Sequence, residues 1–220
     1  MNRQPPDWWR GTTPRRLPGY ASAPIGGDIR ELDSSSLPVS ELTLLRPAFF
    51  NQARGSGLEV VLDDLSLAAC WSEFDHCTFR QRSRRLNAKG IAAQGCFGSR
   101  PSIYRDCTFT GVRFRQLGGF SAGAARFVNC RFERCGFNGH FSFSADYIEC
   151  TFAGKIDGGV WYGTTPPGET YAGRRNVIAG NDFTGVTFGT NIGWRGDFDF
   201  TAQRWPPDYH PAPEGLDVSP

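Results

Sequence analysis

Lysine is nearly absent: Lys89 and Lys155 stand alone among 24 basic residues, the other 22 being arginine. A GC-rich bacterial genome produces such usage, so it carries no function by itself. Methionine occurs once and histidine three times. Three scattered histidines do not furnish the ligand sets of a zinc enzyme. No HExxH, GxSxG, P-loop or strand–GxGxxG–helix pattern occurs either. The sequence therefore predicts neither a metal nor a cofactor. No run approaches the eighteen or so apolar residues of a membrane span, so no membrane partner is expected. The opening stretch "MNRQPPDWWRGTTPRRLPGY" is broken by prolines and holds no apolar run of signal-peptide length. The seven cysteines include no CxxC pair, which favours neither a disulfide framework nor a zinc knuckle. Reduced thiols in a cytoplasm are the expectation. Excess charge of one sign is also missing, the net being +2. That excludes a global field steering the chain to nucleic acid or acidic surfaces, and direct nucleic-acid binding is not expected.

What is present is glycine, proline and phenylalanine, at 27, 15 and 18 residues. A Gly-rich, Phe-rich chain with little helical periodicity leans towards β structure with many turns. Within "ARFVNCRFERCGFNGHFSFSADYIECTF" (125–152), Phe127, Phe132, Phe137, Tyr147 and Phe152 are spaced by five or ten. Cys130, Cys135 and Cys150 each stand two residues before one of those rings. The spacing recurs at Phe74 and Phe79, at Tyr104, Phe109 and Phe114, and at Phe183 and Phe188. Neither a helix nor a flat strand has a period of five. A five-residue unit with one small and one large inward position makes a short face and a corner. Four faces close a coil of twenty residues, the separation of Phe132 from Phe152 and of Cys130 from Cys150. Each coil then bonds only to its neighbours, which is solenoid logic.

The segments "YRDCTFTGVRF", "RFVNCRFERCGF", "DYIECTF", "FDHCTF" and "DFTGVTF" resemble the pentapeptide-repeat family. The resemblance implies an all-β fold: a right-handed parallel β-helix, quadrilateral in section, with irregular insertions and extended N- and C-terminal segments. The match runs over roughly 58–200 and is weak at 82–99 and at 155–180. Residues 1–57 are expected to form an extended arm with a short helix at "PVSELTLLRPAFF" and a cap. Residues 58–203 form the β-helix, and 204–220 an irregular tail. Some characterised members of the family are DNA mimics that protect type II topoisomerases. That mechanism needs a dense negative surface, whereas residues 58–200 hold 16 basic and 14 acidic side chains.

Binding candidates therefore lie off the repeat. The 155–180 segment gathers Trp161, Tyr162 and Tyr171 with Arg174 and Arg175 on a Gly/Pro-rich loop, where binding sites often sit. The run Arg80, Arg82, Arg84 and Arg85 is the densest charge cluster, suited to phosphates or an acidic partner. Trp8 and Trp9 would leave much apolar area in water unless they dock on something. The interior cysteines read as small buried hydrophobes, and His140, on an interior slot, as a structural histidine. A small carbohydrate-active enzyme would draw on Asp197, Asp199 and Arg195, the one carboxylate-dense stretch. The primary expectation is a non-enzymatic scaffold that binds an unidentified protein partner, with a terminal coil able to cap the fold or form a homodimer.

Overall fold

A ring flanked by polar residues makes a strand whose one face alone can be buried. Thr78–Arg80 and Thr108–Thr110 are such segments, each with its phenylalanine buried between partly exposed neighbours. The computed structural model describes residues 28–33, 41–43, 48–62, 66–82, 93–116 and 118–211. Their nineteen strands join in one curled sheet with no helix among the described residues. Every strand pairing is parallel. This arrangement is compatible with a β-helix. No described helix is long and apolar enough to cross a membrane.

The register stacks like on like. In one ladder Phe74, Tyr104, Phe127, Tyr147 and Ile178 occupy the same slot. In the next, Val60, Phe79, Phe109, Phe132 and Phe152 do so, and Phe183 stacks on Phe152. A third holds Phe114, Phe137, Ile156 and Phe188. A fourth set runs through 140–142, 159–162 and Ile192–Arg195. Ring centroids in the second ladder lie 5.0, 5.0, 4.7 and 4.6 Å apart from Phe79 to Phe183. That is close to the spacing of hydrogen-bonded strands themselves. Between ladders the rings meet edge to face, as at Phe109 and Phe127. The two inward positions of each unit thus behave as the sequence pattern predicts.

The returns are unequal. Phe132 and Phe152 are one return of twenty residues, but Phe79 and Phe109 are also neighbours, thirty apart. Strict five-residue counting makes those thirty residues one and a half coils. The backbone instead makes a single longer return, which lays Thr108–Thr110 directly on Thr78–Arg80. Likewise 155–162, expected to belong to a loop, continue strand Thr151–Tyr162.

The sheet also reaches further than 58–203. Ala48–Ser56 pairs with Asp28–Asp33 on one side and with Ser66–Cys70 and Glu73–Asp75 on the other. Glu41–Thr43 is a strand, with Leu42 opposite Val60. The helix expected over 38–50 is absent at its described residues, since pairing to the following strand outcompetes a helix that Pro47 would cut short. At the far end Trp205 stacks on Phe183 at 4.9 Å and Tyr209 on Phe188 at 3.7 Å. The C-terminal segment therefore covers the last aromatic slots.

Each corner between the first two ladders turns on a residue with left-handed backbone, three positions before the ring. His76, Asp106, Asn129 and Glu149 have φ of 50, 53, 51 and 54°, and Gly57 and Gly180 fill the equivalent positions. Their amides bond the next return: Asp106 to Val128 O, Asn129 to Ile148 O, Glu149 to Ala179 O. Two residues on, the chain bonds the previous return: Thr108 to Cys77 O, Arg131 to Cys107 O, Thr151 to Cys130 O. The corners thus satisfy their backbone in both directions, which offsets the strain of a left-handed residue carrying a Cβ.

This geometry makes a stability prediction. Glu149→Ile should lower unfolding free energy by about 1–2 kcal/mol, a β-branched side chain being poorly tolerated at positive φ. Glu149→Asn should be neutral or stabilising in the same denaturant titration.

Candidate functional site

After Tyr162 the chain leaves the ladders and rejoins them at Ile178. A free-standing excursion of that length would expose much backbone, and a buried polar network holds it instead. Asp146, fully buried, accepts from Arg174 Nη2 at 2.6 Å, from Arg126 Nε at 2.7 Å and from the Val177 amide at 2.8 Å. Arg174 also donates through Nη1 to Ser144 O and to Asn176 Oδ1. Asn176 in turn donates to the carbonyls of Phe143 and Tyr162. One carboxylate is thus shared by two guanidiniums, and Arg174 has further bonds to Ser144 and Asn176, which meets the condition for stable ionic burial.

Against that anchored excursion lies a cleft of about 260 Å³. Cys96, Ser99, Ser121, Phe141, Phe143 and Ser144 line it from the sheet side, and Glu169, Thr170 and Tyr171 from the excursion. Phe141 and Phe143 are partly exposed and stack with centroids 5.7 Å apart. Tyr162 continues that aromatic strip, 5.3 Å from Phe143. The Ser99 hydroxyl, in a residue only 8 % exposed, has no hydrogen-bond partner among the described residues. Gly123, at φ 59°, supports this lining: a Cβ there would overlap Cys96 Sγ and the Gly98 carbonyl. Of the seven free cysteines, Cys96 is the one that is not buried. Burial is the main force that pushes the Cys70 thiol up to about 12.

The sequence-predicted residues fall elsewhere. Trp161, expected on a loop, is fully buried in the core and packs on Phe137, His140 and Trp194. Its position is set by the register that pairs it with Ser142 and Trp194. Tyr171 is buried at the cleft, and Arg174 is the structural tie just described. Tyr162 and Arg175 remain outward, Arg175 pairing with Asp197 at 3.0 Å. Arg80 and Arg82 both approach Glu59; Arg84, Arg85, Trp8 and Trp9 lie outside the described residues. Asp199 accepts from Thr201 N, Thr201 Oγ1 and Ala202 N, and these bonds lower its pKa. Asp197 is likewise engaged, by Arg175 at 3.0 Å. The corner column does bring Asp75, His76 and Asp106 together, with one potential ligand atom each within 4.8 Å. Sequence spacing hides that group, since Asp106 is thirty residues from His76.

Phe141, Phe143 and Asp146 were not singled out in the sequence. A signal for the first two existed: they flank Ser142, where the five-residue count places a central residue, and so must face outward. Nothing local marks Asp146, whose partners lie twenty and twenty-eight residues away.

Two expected outcomes follow from this burial. Asp146→Ala should destabilise the fold by about 3–5 kcal/mol, because it strands a buried guanidinium, and calorimetry reads that loss. His140 is buried beside Tyr147, its Nε2 3.3 Å from the phenol oxygen, and burial lowers its pKa to about 3. The unfolded imidazole takes its proton near pH 6.5 and the folded one resists until about 3. Stability should therefore hold above pH 6.5 and fall by about 1.4 kcal/mol per unit as pH drops towards 3. Subtracting the profile of His140→Gln should isolate that slope. No protein-family model matches this chain, and neither curated proteins nor solved structures give a match.

Proposed function

We propose that the chain is a right-handed β-helix of the pentapeptide-repeat type that works as a non-enzymatic scaffold for a protein partner. The observation that carries this reading is the use to which its carboxylates are put. Asp146, Asp182, Asp197 and Asp199 are each engaged by a guanidinium or a turn of the fold. A glycoside hydrolase needs two carboxyl groups free to face one bond. The carbohydrate-enzyme reading is correspondingly weaker. DNA mimicry is weaker too, because outward acids meet arginines on neighbouring strands, as Glu73 does Arg105 and Glu59 does Arg80. Pairs of opposite sign interrupt any acidic stripe.

The surface best suited to a partner is the outward aromatic strip ending at Tyr162, beside the tied-down excursion. Aromatic side chains bring large contact area with little entropy to lose. Seven free thiols suit a reducing cytoplasm. In affinity capture with the full chain, Tyr162→Glu should remove a stoichiometric partner that Arg131→Glu retains. Equal capture by both variants would refute the assignment of the surface. Removing residues 1–27, which leaves every described strand intact, tests the expected docking arm in the same assay.

A further inference from the structure

We propose that the cleft between the excursion and the sheet binds one neutral, hydroxyl-rich ring, the size and chemistry of a single monosaccharide unit. The lining decides the class. Among the described residues that line it are hydroxyls from Ser99, Ser121, Ser144 and Thr170, an amide at Gln116 and a carboxylate at Glu169, with no arginine, lysine or histidine; the Arg100 guanidinium bonds the hydroxyl of the lining Tyr171. A phosphate or carboxylate ligand would meet the like charge of Glu169 there, and the Arg100 guanidinium beside Tyr171 is already engaged by that hydroxyl. Hydroxyls and amides both donate and accept, which matches a ligand whose own hydroxyls do the same. The wall of Phe141 and Phe143 offers an apolar surface of the kind that the C–H face of a pyranose covers. At about 260 Å³ the cleft lies just below the range of drug-sized sites, so it takes a small ring rather than an extended chain.

The second observation is Ser99. Its hydroxyl is buried and has no partner among the described residues, whereas Arg174 and Asn176 of the excursion are each bonded more than once. A buried donor left unpaired is unfavourable, and a ligand hydroxyl reaching it would remove that penalty on binding. The excursion holding Glu169, Thr170 and Tyr171 is fixed by the Asp146–Arg174–Asn176 network. The cleft therefore needs little ordering when a ligand arrives, which favours affinity. The cleft shares Phe141 and Phe143 with the strip proposed for a protein partner but not Tyr162, so Tyr162→Glu tests the partner surface and Ser99→Ala the cleft.

Cys96 provides a built-in reporter, being the one cysteine that is not buried. The probes are the methyl glycosides of glucose, galactose and mannose, and N-acetylglucosamine, each tested against the full chain up to about 50 mM, with adenosine as a control. At least one sugar should slow alkylation of Cys96 by iodoacetamide and show saturation transfer from the protein. Ser99→Ala removes an oxygen that bonds nothing among the described residues, so melting should be unchanged while affinity falls about two- to tenfold. Phe143→Ala should abolish both signals. The proposal is overturned if no sugar gives either signal, if adenosine protects Cys96 better, or if both variants bind as well as the parent.

Discussion

Each return of the chain must lay a ring on the ring below it, because parallel hydrogen bonding fixes the two backbones less than 5 Å apart. Ring separations of 4.6–5.0 Å along the second ladder are that backbone spacing expressed by side chains. A smaller residue in one slot would leave a void with no neighbour able to slide in, and a larger one would push the strands apart. The small residues two positions earlier obey the same rule. Cys77, Cys107, Cys130 and Cys150 fill one interior column, and above them come Asn181 and Gln203, which bond to each other. The thiols serve as compact apolar packing, and the column turns polar where the sheet nears its end.

That constraint explains what could be read from the sequence. The inward pair of each unit is local, so the spacing of Cys130, Phe132, Cys135 and Phe137 revealed it without a structure. The number of residues per return is not local. Phe79 lies beside Phe109 although thirty residues separate them, and five-residue counting has no means of telling one long return from an extra half-coil. The excursion after Tyr162 shows the same limit. Its Gly- and Pro-rich composition was legible as a departure from the repeat, but its start was misplaced, since Thr151–Tyr162 keeps pairing through residues that do not fit the motif. Trp161 and Arg174 looked like binding residues by type and are structural by position.

The site was less legible than the fold for a related reason. A repeat advertises its core, and whatever departs from the core is defined only by contacts across returns. Asp146 holds Arg126 and Arg174 from different returns, and the cleft collects Cys96, Ser121, Phe141 and Tyr171 from four separate segments. The regular ladders supply rigidity, and the anchored excursion supplies one concave, chemically mixed surface upon them.

The register of the returns is the central claim, and scalar couplings across hydrogen bonds in isotope-labelled protein test it most directly. The amides of Thr108, Arg131, Thr151 and Asp182 should couple to the carbonyls of Cys77, Cys107, Cys130 and Cys150 respectively. The first and last of those pairs span returns of about thirty residues and the third a return of about twenty. Finding all four would establish unequal returns carrying one continuous aromatic column. A missing Thr108–Cys77 coupling, with Cys77 bonded instead to a residue about twenty positions away, would contradict it.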